Sequence, residues 1–166
     1  MEKIFPGFAE EAPVERKIVR ERISFLAEET ATTLEYDDDE MRKPEKASYS
    51  ILRANLDPWL TEKAEEAGAM FIHGIRVDKV ITDESGKAVG VLAGEEEMYA
   101  DCILLADGVN SLLAQQLGLK KELEPKQVAV GVKEVIRFGE EEINRRFGVK
   151  DGEGLAWLFA GDVTNS

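Results

Sequence analysis

The sequence predicts an α/β chain with an α+β portion beside it, and three observations carry that reading. The apolar run Cys102-Ile103-Leu104-Leu105-Ala106 passes through Asp107-Gly108-Val109-Asn110-Ser111 into Leu112, Leu113, Gln116 and Leu117, a succession of strand, loop and helix. An amphipathic pattern from Leu56 to Ala67 stands between strand-like segments. Short apolar and β-branched runs, separated by turn residues, fill both ends of the chain.

Taken in order, Met1 to Pro13 reads as the tail of an element rather than the start of a domain, as if the opening were cut. Val14 to Tyr36 mixes alternation with β-branching, through Ile18, Ile23, Phe25 and Leu34, and predicts two or three strands. Asp37-Asp38-Asp39-Glu40 is a solvated connection whose like charges repel one another and define no cation loop. Ser48 to Leu52 is a strand. Asn55 or Asp57 then caps a helix with Pro58 in its first turn, where the missing N–H costs nothing. Leu56, Leu60, Ala64 and Ala67 form its apolar stripe, and Gly68 ends it.

Short strands follow at Ala69 to Ile72, Val77 to Ile81 and Ala88 to Leu92, with turns at Glu84-Ser85-Gly86-Lys87 and a bend at Glu95-Glu96-Glu97. Continuous apolarity makes Cys102 to Ala106 a strand covered on both faces, as in a parallel sheet, and buries Cys102. Val128 to Ile136 is another strand. Glu140 to Phe147 is a short helix with acids in its first turn, and Leu155 to Phe159 is a final strand.

Composition narrows the function classes. The chain has 166 residues, enough for about one domain. Its 34 acidic residues against 21 lysines and arginines leave a net charge of −13, which repels polyanions and argues against nucleic acid as a partner. With 43% hydrophobic residues it is expected to fold despite that charge. A lone cysteine excludes an intrachain disulfide, and Cys102 with His73 do not make a zinc site. No run reaches the roughly 18 apolar residues of a membrane span, so the expected location is the cytoplasm.

Two local features bear on a ligand. Asp107-Gly108 ends a strand, where glycine permits close backbone approach and a carboxylate can accept a cofactor hydroxyl. The competing reading is a tight turn in which Asp107 or Asn110 caps the next helix. Arg53 sits between a strand and a helix, where its guanidinium suits a phosphate or carboxylate, with a surface ion pair as the plain alternative. His73 lacks a nearby nucleophile and reads as solvent-facing. Trp59 reads as packing, while Trp157 is open between packing and lining an apolar or cofactor-facing pocket.

Ser50-Ile51-Leu52-Arg53-Ala54-Asn55-Leu56-Asp57-Pro58-Trp59-Leu60, then Ala64-Glu65-Glu66-Ala67-Gly68-Ala69 and Leu104-Leu105-Ala106-Asp107-Gly108-Val109-Asn110-Ser111, together resemble the FAD-dependent family of FixC-type proteins, electron-transfer flavoprotein:quinone oxidoreductases and geranylgeranyl reductases. The resemblance continues through Val128 to Lys133 and Glu142 to Phe147 and is nearest the FixC-type branch. It implies a partial FAD/NAD(P)-binding Rossmann-like fold lacking its first βαβ unit. Residues 1–50 would be early strands of a substrate-side sheet, 51–122 the central part of the FAD-binding domain, and 123–166 a continuation of the substrate-side sheet. Arg53 would lie near the FAD phosphate or ribityl region, the Val77 backbone near the adenine end, and Asp107 with Gly108 near FAD at the end of the central strand. No catalytic acid, base or nucleophile is implied.

The chain departs from the family pattern in two places. It has no strand, GxGxxG turn and helix to cradle a pyrophosphate, and no later flavin glycine motif or ferredoxin-like cysteine set; Gly161-Asp162 does not have the context of that motif. The expectation is therefore a fragment of an FAD-dependent oxidoreductase that binds FAD weakly or not at all and is inactive alone. The intact form would move electrons through FAD between an electron-transfer flavoprotein, a quinone or a ferredoxin-like partner, with peripheral membrane association left open. The alternatives are isoprenoid reduction, as in geranylgeranyl reductases, and an autonomous acidic interaction module. Exposed sheet edges would favour self-association.

Overall fold

The computed structural model describes residues 1–161, so Asp162 and the residues after it lie outside the description. In chain order the elements are α1 (Phe8–Glu11), β1 (Val14–Leu26), β2 (Ala31–Asp37), β3 (Ser48–Ile51), α2 (Arg53–Glu66), β4 (Val77–Thr82), β5 (Ala88–Ala93), β6 (Glu96–Tyr99), α3 (Leu112–Gln116), α4 (Glu140–Phe147) and β7 (Glu153–Gly161), with short 3-10 turns between some of them. The chain is mixed α/β and divides into two compact units: Met1–Met70 with the chain from Val135 onward, and Phe71–Glu134.

The first unit is organised by β1, which pairs antiparallel with β2 and β3 and parallel with β7. Alternation along β1 gives the sheet two unlike faces. One face carries Arg22, Ser24 and their neighbours. Ser24 is only 1% exposed, yet its hydroxyl is satisfied: Trp157 Nε1 donates to Ser24 Oγ at 2.8 Å, and Thr33 Oγ1 lies 2.7 Å from the same oxygen. The Arg22 guanidinium lies 5.0 Å over the Trp157 ring while pairing with Glu35. Trp157 also stacks on Phe159, a packing contact. The other face presents Ile23, Phe25, Leu34 and Tyr36, all exposed.

A small core closes the other end of this unit, where Phe8, Ala12 and Leu56 are buried with Tyr49, Ile51, Trp59 and Leu60 around them. Phe8 and Phe5 meet the Trp59 ring edge-on at 5.7 and 5.6 Å. The opening segment, expected as the tail of an element, carries a short helix of its own and supplies core residues. Helix α2 begins at Arg53, directly after Leu52, rather than being capped by Asn55 or Asp57, and Pro58 lies inside it. Tertiary packing of Leu56 and Trp59 overrides the local start signal. Its end matches expectation, since Gly68 takes φ +95 just beyond it. In α4, three glutamates open the helix and Arg145 and Arg146 close it, complementing the helix dipole.

The second unit is the antiparallel meander β4-β5-β6 with α3 beside it. Gly90 makes the β5–β6 pairing tight: a Cβ there would stand 2.5 Å from the Met98 carbonyl oxygen. Gln116 Nε2 donates to the Asp78 carbonyl at 2.9 Å and ties α3 to β4. Glu96 and Glu97 belong to β6, so the bend precedes them at Gly94.

Three expected strands form no ladder among the described residues: 69–72, 102–106 and 128–136. Each has a strand's composition, but a strand exists only when a neighbour takes its N–H and C=O groups, and no described strand pairs with them. Leu104, Val130 and Val132 are accordingly at least 90% exposed. Cys102, expected to be buried, is exposed for the same reason.

Candidate functional site

The Asp107-Gly108 turn is built by a network of short-range bonds. Gly108 takes φ +75, a left-handed conformation that glycine adopts at no steric cost. Asp107 Oδ2 accepts from the Leu113 N–H at 2.9 Å, so the carboxylate caps the first turn of α3 from outside the helix. Ser111, the residue before α3, holds φ +45, uncommon for a residue with a side chain. Its hydroxyl donates to the Gly108 carbonyl, and Lys120 Nζ reaches both Ser111 Oγ at 3.0 Å and the Val109 carbonyl at 2.6 Å. The loop is thus held at both ends, and strain of this kind persists only where the surroundings over-determine it.

This turn opens onto a cavity of about 500 Å3 inside the second unit. Val77, Val91, Leu104, Leu105 and Leu113 supply apolar wall, and Arg76, Asp107 and Asn110 supply polar groups. Its volume falls within the roughly 300–1,000 Å3 of small-molecule sites. Val77 and Asp107, singled out separately in the sequence, are therefore brought to one cavity, with Gly108 directly after Asp107. Arg76 and Ser111 were not singled out. The clue to Arg76 was its place just before the Val77 strand, whereas the left-handed backbone of Ser111 leaves no mark on residue type. Arg76 donates to Asp78 at 2.8 Å, and this bond, helped by the Gly94 N–H, holds the Asp78 carboxyl below the usual range.

Arg53 belongs to the first unit. It opens α2, its side chain is 72% exposed, and its Nε donates to Asp57 Oδ1 at 2.5 Å, one turn along the helix. The surface ion pair weighed as the plain alternative is present, and Asp57 raises the Arg53 pKa. His73 is exposed and stacks on Phe71, in line with a solvent-facing ring.

A family model described as an FAD binding domain matches residues 9–141. The chain belongs to this FAD-binding family. Over 165 residues, 99% of the chain, it is 53% identical to an Escherichia coli protein described as a probable electron transfer flavoprotein-quinone oxidoreductase, YdiS. Over the same span it is 47% identical to the FixC protein of that organism, and it is 34% identical over 166 residues to FixC of Bradyrhizobium diazoefficiens. In each case it spans 38% of the relative's length. FAD is thus the cofactor indicated for the intact protein.

The residues at this cavity suit part of such a cofactor. The cavity offers apolar wall for a planar ring beside a carboxylate with spare acceptor capacity. Asp107 Oδ1 has no partner among the described residues while Oδ2 holds α3, so capping the helix and accepting a ligand hydroxyl are compatible roles. When bound, FAD supplies the redox chemistry through its isoalloxazine ring. No helix among the described residues is long and apolar enough to cross a membrane.

Proposed function

We propose that this chain is part of an FAD-dependent oxidoreductase that passes electrons from an electron-transfer flavoprotein or ferredoxin-like donor, through FAD, towards a quinone. The likeness to an electron transfer flavoprotein-quinone oxidoreductase across 99% of the chain carries this reading, and the Asp107-Gly108 turn at the apolar cavity supports it. Asp107 accepts a cofactor hydroxyl through Oδ1, Gly108 allows close backbone approach, the Val77 backbone lies by the adenine end, and Arg53 pairs with a phosphate or the ribityl region by exchanging its Asp57 partner for the cofactor. The FAD side is a partial Rossmann-like fold that does not include a GxGxxG cradle. The early and late strands serve the substrate side. Protein groups orient the flavin and no side chain transfers a proton as acid or base. The setting is cytoplasmic, with the 166-residue chain alone holding FAD weakly.

The test is reconstitution of the full-length protein carrying these residues. Supplied with FAD and a reduced electron-transfer flavoprotein, it should reduce a soluble quinone. A flavin-loaded protein that takes no electrons from that donor or from a reduced ferredoxin would overturn the reading. For the chain alone, a stoichiometric yellow complex with an oxidised-flavin spectrum would refute weak binding.

A further inference from the structure

The first unit contains a second cavity, about 370 Å3, that the flavin reading does not use. Its wall is apolar, from Ile51 and Leu52 at the end of β3, Ile136 and Phe138 in the following extended segment, and Ile143 on α4. Arg137 lines the same space. Among the described residues every other arginine donates to a carboxylate or carbonyl oxygen, whereas Arg137 has no hydrogen bond, ion pair or ring contact. In a chain with a net charge of −13, an unpartnered guanidinium beside an apolar hollow is a vacant anion contact. The Asn55 side-chain amide, also lining the cavity, is equally without a partner and adds a second donor.

The geometry points to a binding site for an amphipathic monocarboxylate, with its head on Arg137 and Asn55 and its apolar body against Ile51, Phe138 and Ile143. A guanidinium matches a carboxylate bidentately. Arg16 also lines the cavity but is engaged by Glu140, Asn144 and the Glu153 carbonyl, so among the described residues Arg137 faces one unpaired acid, Glu15, which opposes a more highly charged head such as a diphosphate and favours a monoanion. The site is independent of the flavin reading and is tested without flavin.

The probe is decanoate, titrated below its micelle concentration into the 166-residue chain and followed by isoleucine methyl NMR, with decanol as its neutral twin. Decanoate should perturb Ile51, Ile136 and Ile143 and bind about tenfold more tightly than decanol, the fold expected of a charge-assisted pair. Arg137→Gln should abolish that preference while leaving decanol binding unchanged, and Arg137→Glu should transfer it to decylammonium. Because Arg137 is exposed, these variants should fold as the parent does. Equal binding of the two probes, no binding of either, or decanoate affinity unchanged in Arg137→Gln would each overturn the proposal. Glu15→Gln removes the opposing charge and should raise decanoate affinity severalfold; unchanged or lower affinity would overturn the proposal.

Discussion

The Asp107 carboxylate accepts the Leu113 backbone N–H at 2.9 Å and so links the turn that faces the cavity to the helix behind it. Loss of a capping acceptor costs about 1 kcal/mol. Asp107→Ala should therefore destabilise the second unit by about that amount, read from urea unfolding, and expose the Leu113 amide to faster hydrogen exchange. Asp107→Asn keeps an acceptor and should lose less. Equal protection of Leu113 in Asp107→Ala and the parent would contradict the capping role.

Arg53 offers the opposite profile. Its i,i+4 pair with Asp57 is exposed, and solvent screening leaves such a pair little net effect on stability. Arg53→Ala should leave the unfolding midpoint nearly unchanged while weakening FAD retention in the full-length protein. A large stability loss with flavin retention intact would show that the residue serves the helix alone.

The Glu35 carboxyl lies below its ordinary range, chiefly because Arg22 donates a side-chain hydrogen bond to it, with Arg20 adding to the attraction. A depressed folded-state value means that this stabilisation is present above the unfolded value of about 4.3 and is lost as pH falls through the folded value. Glu35→Gln should flatten the pH dependence of stability on the acid side, below about pH 4.3, and change little in that dependence near neutrality. An unaltered acid limb in a urea-unfolding series would sink this assignment.

Two glycines should respond differently to the same methyl group. A Cβ at Gly90 would stand 2.5 Å from the Met98 carbonyl oxygen, whereas one at Gly131 meets nothing within 4 Å. Gly90→Ala should cost about 1–3 kcal/mol by forcing β5 and β6 apart. Gly131→Ala should be neutral or slightly stabilising, since it restricts the unfolded chain more than the folded one. Thermal melts of the two variants decide it, and matched midpoints would refute the close approach.

Elements whose partners lie close in sequence were legible. The β4–β5 hairpin follows from β-branched runs around Ser85-Gly86, and α4 is marked by the acids of its first turn, all within one local window. The start of α2 was not, because Arg53 enters the helix through packing of Leu56 and Trp59 against Phe8, a contact made across more than forty residues. At the candidate site the residue types at Asp107 and Gly108 were readable, but not that one carboxylate oxygen is committed to Leu113 while the other has no partner among the described residues.

By itself the sequence determined the acidic balance, the alternation that gives β1 its two faces, and the motif resemblance to FAD-dependent oxidoreductases that the family match bears out. Those properties belong to residue identity and spacing. Only the tertiary structure decided that Ser24 would be buried as the shared hydrogen-bond partner of β2 and β7, that Val77 and Asp107 would share a cavity, and that the strand-like runs at 102–106 and 128–136 would remain unpaired among the described residues. The reason is physical: composition makes a segment able to be a strand, but a hydrogen-bonding neighbour makes it one, and that neighbour is supplied by the fold.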